Sequence, residues 1–270
     1  MPSSIQSLWH STLLIKLSVV LHILLLVGLF IAPKLWPWLL AIFIINHVII
    51  AIVGLWPRSN WLGPNWTKLP VAAINRNEIA LTIDDGPDPL VTPQVLKILD
   101  DYGVKATFFC IGNKAMQQPE LCREIVNRGH AIENHSQQHR HNFSLLGIKG
   151  FSREIEAAQQ TLLTITGKRP KFFRAPAGLR NPLLQPVLNR LDLTLASWSV
   201  RGFDTQISDA EKVSKKLLSG LRPGAILLLH DGNAAHTRAN IPVILIVLPV
   251  LLQTAKKQNL HFVTLQNAAL

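Results

Sequence analysis

The sequence predicts an α/β protein in which a two-helix transmembrane hairpin precedes a closed or nearly closed seven-stranded (β/α) barrel. Three observations lead to this prediction. Two long apolar runs stand near the amino end. Short β-rich runs then alternate with helical patterns over about 190 residues, as in parallel barrels. Reactive polar side chains collect where the predicted strands end, which is the edge at which barrel enzymes assemble their sites.

The composition indicates two regions with different surroundings. Of the 270 residues, 48% are hydrophobic and only 16% are charged, and the apolar excess is concentrated at the amino end. This length suits one sizeable domain with an appendage. The net charge of +11 fits nucleic acid, an anionic membrane or an acidic glycan. Because the chain has neither a dense Lys/Arg block nor aromatic or glycine-rich RNA motifs, we expect no nucleic-acid partner.

The first element is the hairpin, whose two predicted spans are Thr12 to Ala32 and Leu35 to Leu55. Each span contains 21 residues, enough to cross the hydrocarbon layer. The few residues between them leave room only for a tight turn. Asn46 and His47, which are polar, are expected to bond across to the partner helix or to water at the lipid surface. Tryptophans suited to the headgroup region flank the second span: Trp36, Trp38 and Trp56.

The positions of lysine and arginine favour a cytoplasmic catalytic domain. Lys34 lies in the hairpin turn, whereas the opposite side carries Lys16, Arg58, Lys68 and Arg76. We therefore expect an integral protein of the bacterial inner membrane. A cleaved secretory signal is the alternative for the first span, but no small-residue cleavage site follows it and a second apolar run does.

These patterns divide the chain into the hairpin over residues 1–57, a linker over 58–76 and a catalytic domain over 77–270. The linker is rich in Pro, Gly and Asn and has no helical or strand period. Its Trp61 and Trp66 are expected to lie on the membrane surface. A later apolar run, Ile241 to Leu252, has only 12 residues and two prolines, so we interpret it as a barrel helix rather than a third span.

The catalytic domain contains seven predicted strands, at residues 79–84, 106–112, 130–135, 172–176, 195–200, 225–230 and 261–265. The helices lie near residues 93–102, 119–128, 151–166, 182–191, 209–219 and 242–258. Six polar residues fall at or just beyond the carboxyl ends of these strands: Asp84, Asp85, His135, Arg174, Asp204 and His230. Their placement predicts an active site at that end of the barrel.

Two motifs predict a divalent-metal site. Asp84 and Asp85 end an apolar strand in the run TIDDGPDP, where adjacent like charges indicate a bound cation, although Asp-Asp-Gly-Pro alone would be only a turn. His135 and His139 stand four residues apart, and on one face of a helical turn both rings reach one ion. A carboxylate would complete an Asp/His/His set with open positions for water, as in a catalytic site. His141 is interpreted as a surface residue.

Two further motifs place charged groups beside this site. Arg174 in RAPAG either neutralises the acidic site or orients a carboxylate through a two-pronged hydrogen bond. His230 in LLLHDG ends an apolar strand, so its ring needs a hydrogen-bond partner if buried, and Asp204 is the candidate. Asp231 is the alternative partner, although we interpret it as a turn former.

In order and spacing, these motifs resemble those of the polysaccharide deacetylase family, whose domain is also called the NodB-homology domain. The likeness covers roughly Glu78 to Leu265, and Ile83 stands where the family's first motif has Phe. The resemblance implies a distorted, TIM-like (β/α) barrel. It also implies that Asp84 is the general base, held by Arg174. Asp85 and both histidines of HSQQH then bind one divalent ion, commonly zinc, with cobalt, nickel or manganese as alternatives.

The resemblance also implies that His230 is the general acid and that Asp204 tunes it. Ala177, through its backbone N–H, and Trp198 are expected beside the oxyanion and the substrate. Two departures concern the sugar groove, because Ala177 replaces an aromatic residue and Thr205 replaces the Trp that usually follows the aspartate. A long polymer is therefore less expected than a shorter or lipid-linked amino sugar.

The implied activity is a metal-dependent hydrolase that removes an N-acyl group, most often acetyl, from an amino sugar. The expected partners are a polymeric or lipid-linked N-acylated amino-sugar substrate and membrane lipid. A deformylase or other amidase acting on a membrane glycolipid would share every catalytic residue. A catalytically inactive glycan-binding or membrane scaffold is the other alternative, although a scaffold needs neither the metal ligands nor the acid and base.

Overall fold

The computed structural model describes residues 11–270, so the first ten residues of the predicted hairpin region lie outside the described part. Helix α1 (Leu13–Ile31) and helix α2 (Trp36–Gly54) are joined by a 3-10 turn at Pro33–Leu35. Both segments are long and apolar enough to cross a membrane, and most of their large hydrophobic side chains are exposed. An apolar surface of this extent marks contact with lipid or with another protein.

One buried polar contact joins the two helices. Asn46 Nδ2 donates a hydrogen bond to Ser18 Oγ at 2.8 Å, which is the bond across the hairpin predicted for Asn46. His47 Nδ1 instead lies 2.9 Å from Phe43 O, one turn earlier in its own helix. A hydrogen bond of this kind contributes about 1 kcal/mol, so this contact helps to hold the two helices together.

The rest of the described chain alternates strands and helices. The strands are β1 (Glu78–Asp84), β2 (Thr107–Cys110), β3 (Ala131–Asn134), β4 (Phe172–Phe173), β5 (Thr194–Leu195), β6 (Val200–Arg201), β7 (Ile226–His230) and β8 (His261–Phe262). The helices are α3 (Val71–Asn75), α4 (Thr92–Asp101), α5 (Gly112–Gln117), α6 (Pro119–Asn127), α7 (Ile148–Thr166), α8 (Leu184–Arg190), α9 (Ala210–Leu218), α10 (Val243–Lys257) and α11 (Leu265–Ala268). All strand pairs are parallel.

The sheet order is β5-β4-β3-β2-β1-β7-β6, with β8 beside the start of β1, and this curled sheet confirms the predicted (β/α) barrel. Six of the seven predicted strand segments each contain one strand. The segment predicted as one strand over 195–200 differs in detail, because it forms the two short strands β5 and β6. These strands are the two ends of the sheet, yet only residues 196–199 separate them. So short a connection can join both ends only if the sheet curls until they lie close together.

Alternation along β1 separates the outer core from the barrel interior. The odd-numbered residues from Ile79 to Ile83 pack with the surrounding helices, whereas Ala80 packs with residues from β2, β4 and β7. Thr82 and Asp84 share the face of Ala80. Both side chains therefore lie inside the barrel near its carboxyl end, where the predicted site residues gather.

The predicted linker, residues 58–76, is packed against the barrel. Trp66 N donates to Leu195 O at 2.9 Å, and the Trp66 ring meets Phe172 with 5.1 Å between centroids. The Trp66 ring is thus held on the barrel by these contacts, and its place on the membrane surface stays a prediction. Trp61 is 63% exposed.

The apolar run near the carboxyl end forms helix α10, as predicted. One side of α10 is buried against α9 and α4. Within residues 11–270, only the two helical segments of the hairpin are long and apolar enough to span a membrane. The interpretation of this run as a barrel helix is confirmed.

Candidate active site

The polar residues predicted at strand ends meet in one cavity of about 350 Å³ at the carboxyl end of the barrel. Seven of the lining residues were predicted: Asp84, Asp85, His135, His139, Ala177, Trp198 and His230. The others are His141, Gly178, Arg201, Thr205, Gln206, Leu228 and Asn233. Arg174 and Asp204 lie behind this wall, fully buried, and contact lining residues. The structure thus brings together every predicted site residue, and it adds His141, which was interpreted only as a surface residue.

Asp85, His135 and His139 converge on one point. Asp85 Oδ1 lies 3.3 Å from His135 Nε2 and 3.2 Å from His139 Nε2. The expected helical turn between the histidines is wrong, because residues 135–139 form an irregular loop in which Ser136 and His139 have left-handed backbones, with φ of 64° and 51°. Ser136 Oγ accepts a hydrogen bond from His139 N at 3.0 Å. The loop, rather than helical spacing, brings the second imidazole back to the first.

The hydrogen bonding of this group fits a cation. His135 Nδ1 lies 2.8 Å from Arg174 O, and a carbonyl can only accept, so Nδ1 carries a proton and Nε2 is the ring nitrogen left for an ion. Asp85 Oδ1 is buried and has no hydrogen-bond partner. The ligand atoms all lie within 4.8 Å of one another. Tetrahedral ligands at about 2.1 Å from a metal are about 3.4 Å apart, so the three residues fit a divalent ion.

The surroundings favour the protonation states that bind metals. Burial alone would raise the pKa of Asp85, but the imidazoles of His135, His230 and His139 outweigh it and hold that pKa well below its usual range. Burial, with a smaller contribution from His135, lowers the pKa of His139 to about 4, against the raising effect of Asp85 and Asp84. Near neutral pH the group therefore offers an ionised carboxylate and a neutral imidazole, which are the forms that ligate metals.

Two residues that orient Asp85 were not predicted from the sequence. Asn233 Nδ2 donates to Asp85 Oδ2 at 2.9 Å, and Lys114 Nζ donates to Asp85 O at 2.8 Å. The bond to Oδ2 leaves Oδ1 free to share an ion with the two histidines, as supporting bonds do around metal ligands. Lys114 comes from the unpredicted helix α5 and Asn233 from the loop after β7. The one feature of the sequence that could have identified these two residues is that each lies within a few residues of the end of a predicted strand.

Asp84 and Arg174 form a buried ion pair beside this group. Arg174 Nη1 donates to Asp84 Oδ1 at 2.6 Å and to Thr82 Oγ1 at 2.8 Å. The other guanidinium nitrogens donate to backbone oxygens between β5 and β6, which are Ala196 O at 3.0 Å and Ser197 O at 2.7 Å. The two-pronged contact with Asp84 is therefore not formed, because the remaining N–H groups of Arg174 donate to the backbone between β5 and β6. Asp84 Oδ2 stays free of the arginine and lies 3.8 Å from His135 Nε2.

His230 is held by Asp204, as predicted. His230 Nδ1 lies 2.9 Å from Asp204 Oδ1, and His230 N donates to Asp204 Oδ2 at 2.7 Å. Burial lowers the pKa of His230, but Asp204, with Asp84 and Asp85, outweighs it and raises that pKa. The ring thus keeps Nε2 for the cavity and favours its protonated form.

Asp231, interpreted as a turn former, is 1% exposed. It accepts a hydrogen bond from Thr92 Oγ1, and burial raises its pKa to about 7. It is not the partner of His230, because its carboxyl points to α4 rather than toward that ring.

Ala177 and Trp198 form the wall on the hairpin side of the cavity. Ala177 and Gly178 have left-handed backbones, with φ of 54° and 73°. A Cβ on Gly178 would lie 2.6 Å from Pro57 Cβ and 2.7 Å from the Trp198 ring, so only glycine fits between them. Because Trp198 lies in the connection between β5 and β6, the break in the sheet brings its indole to the cavity.

Comparison with known proteins agrees with these motifs. Residues 73–196 match the family model described as polysaccharide deacetylase. A peptidoglycan-N-acetylglucosamine deacetylase of Bacillus cereus is 31% identical over 214 residues, which are 77% of this chain and 75% of that protein. A chitooligosaccharide deacetylase of Azorhizobium caulinodans is 38% identical over 159 residues, 58% of this chain and 75% of that protein.

Solved structures agree as well. A peptidoglycan N-acetylglucosamine deacetylase in complex with 4-naphthalen-1-yl-N-oxidanyl-benzamide has a TM-score of 0.67 at 28% identity, covering 76% of this chain and 92% of that one. A family 4 acetyl xylan esterase from Clostridium thermocellum in complex with a cobalt ion has a TM-score of 0.63 at 32% identity, covering 70% of this chain and 89% of that one. By sequence and by fold, the chain belongs to the polysaccharide deacetylase family.

Proposed function

We propose that the protein is a metal-dependent hydrolase that removes the N-acetyl group from an amino sugar of a glycan or lipid-linked saccharide at the membrane. The observation that carries the proposal is the Asp/His/His group beside a carboxylate and an imidazole that each have a buried partner. The relatives from Bacillus cereus and Azorhizobium caulinodans are named for N-acetylglucosamine in peptidoglycan and for chitooligosaccharides. A saccharide that contains N-acetylglucosamine is therefore the expected substrate.

Asp85, His135 and His139 are the residues that would hold the ion, which is zinc by preference, with cobalt, nickel or manganese as alternatives. When bound, a divalent ion supplies Lewis acidity and activates water. Three protein ligands leave coordination positions open, as in catalytic rather than structural sites. The relative from Clostridium thermocellum, with its cobalt ion, supports this choice of ion class.

Asp84 and His230 are the proposed catalytic residues. Arg174 occupies one oxygen of Asp84, so the other oxygen is oriented to accept the proton of the attacking water. His230, kept protonated by Asp204, donates a proton from Nε2 to the departing nitrogen. The C–N bond breaks, and acetate and the free amino sugar result. Arg174 and Asp204 are positioning residues, since each acts through its partner.

Ala177 and Trp198 are proposed to contact the substrate. The backbone N–H of Ala177 serves the developing oxyanion, where a fixed donor typically contributes about 3 kcal/mol. Trp198 offers a large ring at the cavity wall. Because Ala177 is small and Thr205 stands where the family has Trp, the groove offers less aromatic surface for successive sugar rings. This favours a short or lipid-linked saccharide.

The hairpin over residues 1–57 is proposed to span the membrane, with residues 58–76 as the connection to a cytoplasmic catalytic domain over 77–270. Support comes from the two apolar helices and from the positive charge beyond α2. Reporter fusions at the carboxyl end test the membrane face. If a phosphatase that works only in the periplasm is active in the fusion, and a reporter that works only in the cytoplasm is inactive, the proposed orientation is wrong. A mature protein with a shortened amino end would indicate a cleaved signal.

The proposed activity is tested with Asp84→Asn in the full-length protein and an N-acetylated chitooligosaccharide. We expect kcat to fall by about 10²- to 10⁴-fold with the bound metal retained, because only the base is lost. Asp101→Asn, at an exposed ion pair on α4, is the control and keeps full activity. Turnover that persists in chelator would contradict the proposal. Mass analysis of the released acid distinguishes acetate from formate and so tests the alternative of a deformylase. If the native protein has neither bound metal nor turnover, it is an inactive scaffold.

A further inference from the structure

A second cavity of about 490 Å³ adjoins the catalytic cavity and shares Trp198 and Arg201 with it. The chain segment Trp56–Arg58, which directly follows α2, forms one side. Phe203 and Lys216 form the other side. The two cavities are therefore neighbours, and Trp198 and Arg201 form part of the wall of each.

The second cavity is cationic. Arg58, Arg201 and Lys216 line it, and no carboxylate does. Within residues 11–270, none of the three is in an ion pair. Arg201 Nε is buried and lacks a hydrogen-bond partner. Arg201 and Lys216 both lie over the Phe203 ring, at 5.0 Å and 5.1 Å from its centroid, so two positive charges stand beside one aromatic ring. Three cations without a protein carboxylate favour an anionic ligand.

The second cavity lies beside the end of helix α2. The backbone N–H of Arg180, in the loop after β4, donates to Gly54 O at the end of α2 at 3.1 Å. Ser197 Oγ, in the connection between β5 and β6, donates to Pro57 O at 2.7 Å. If the hairpin spans the membrane, the cavity lies where α2 leaves the hydrocarbon layer. Trp56, 58% exposed, suits that boundary.

We propose that the second cavity binds the phosphate or diphosphate of a lipid-linked amino sugar whose N-acyl group enters the catalytic cavity. The inference rests on the proposed deacetylase function and deepens it by naming the substrate class. Arginine forms paired hydrogen bonds with phosphate oxygens, and lysine adds a point charge, so this set of side chains suits a phosphate better than a neutral glycan. The lipid chain then leaves the cavity beside Trp56, toward the membrane.

The test compares two glycolipids that carry the same N-acetylglucosamine and the same polyprenyl chain. One is joined through a diphosphate and the other through a neutral glycosidic bond. With the full-length protein in phosphatidylcholine nanodiscs, we expect kcat/KM to favour the diphosphate-linked substrate at least tenfold. Lys216→Gln and Arg58→Gln lower this preference about tenfold, which corresponds to roughly 1.4 kcal/mol. Lys215→Gln, an exposed neighbour on α9, is the matched control and keeps the preference.

Equal kcat/KM for the two glycolipids, or an unchanged preference in both variants, would overturn the inference. A binding measurement separates it from the proposed function, using the same lipids with the N-acetyl group removed, so that no turnover is needed. Tighter binding of the diphosphate-linked lipid, weakened in Lys216→Gln, supports the inference even if no substrate is deacetylated. Deacetylation of chitooligosaccharide without any preference for diphosphate leaves the proposed function intact and rejects the inference.

Two further arms identify the source of the phosphate. Inorganic diphosphate that binds as tightly as the diphosphate-linked lipid would show a site for a free anion and would reject a lipid-linked ligand. Vesicles of phosphatidylglycerol without any sugar test the membrane surface. If the variants weaken vesicle binding but leave the glycolipid preference unchanged, the cations serve only the anionic headgroups and the inference is wrong.

Discussion

At the scale of single residues, the site depends on side chains that use one polar atom for the protein and keep another for chemistry. His135 places Nδ1 on a carbonyl and keeps Nε2. His230 places Nδ1 on Asp204, and Asp84 places one oxygen on Arg174. Such partners fix both the tautomer and the direction of the free atom, so the reactive atoms need little reorganisation when substrate arrives.

Asp204 sets the alkaline limb of the pH profile. Because its carboxylate favours the imidazolium, the pKa of His230 is raised, and the proton donor is present below that pKa and lost as the pH rises through it. In Asp204→Asn the alkaline limb of kcat/KM is expected to move to lower pH by about one unit or more. Asp192→Asn, at an exposed turn, serves as the control. A lower rate with an unmoved alkaline limb would contradict the assigned role of Asp204.

Asn233 is predicted to act through the metal ligand Asp85. Asn233→Ala removes the hydrogen bond to Oδ2, so the carboxylate can rotate away from the two histidines. We expect metal affinity to fall by about 10- to 100-fold, with activity restored by excess zinc. Asn127→Ala, on the exposed side of α6, is expected to change neither. Titration with a metal-indicator dye measures the affinity, and unchanged affinity would refute the role.

At the scale of elements, short irregular segments build more of the site than the regular strands do. The connection between β5 and β6 leaves its carbonyls without strand partners, and Arg174 serves two of them. The buried guanidinium of Arg174 thus bonds the backbone between β5 and β6 and also holds Asp84. The closure of the barrel and the orientation of the proposed base therefore depend on the same side chain.

The carboxyl end of α7 offers a separate test of element stability. Gly167 ends this helix with a left-handed backbone, at φ 70°, and its N–H donates to Leu163 O at 2.8 Å. An added Cβ would meet nothing within 4 Å, so Gly167→Ala changes only the backbone energy. We expect the free energy of unfolding to fall by about 1 kcal/mol in denaturant titration. Gly167→Asn, whose side chain tolerates the left-handed backbone better than that of Ala, is the control and is expected to cost less.

At the scale of the whole molecule, the metal site couples chemistry to stability. Asp85 follows β1 and both histidines follow β3, so the complete group forms only in the folded barrel. A divalent ion therefore binds the native state, and the unfolded chain offers no such group.

Metal removal is accordingly predicted to lower the Tm. Free metal at 100 times its Kd stabilises the native state by about 2.7 kcal/mol, which corresponds to roughly 5 to 10 °C for a domain of this size. Differential scanning fluorimetry with and without chelator measures the change. His139→Ala is expected to have a Tm that no longer responds to chelator. A wild-type Tm that is the same with and without chelator would argue against a tightly held ion.

Much of this could be predicted from the sequence, and the failures have physical reasons. Asp84, Asp85 and His230 end apolar strands, and parallel strands bring their carboxyl ends to one edge. The single strand predicted over 195–200 failed, because its apolar pattern does not reveal where pairing partners end. The helical turn at 135–139 failed as well, because spacing alone cannot distinguish a helix from a loop with left-handed residues.

By itself, the sequence determined the apolar helices, the order of strands and helices, and the chemical groups available at the strand ends. These features depend on local periodicity and on residue type. Tertiary structure alone decided that Asn233 and Lys114 orient Asp85, that Arg174 bonds the backbone between β5 and β6, and that a basic cavity adjoins the site near the end of the hairpin. Such contacts join residues far apart in the chain, and only the curled sheet sets the distances between them.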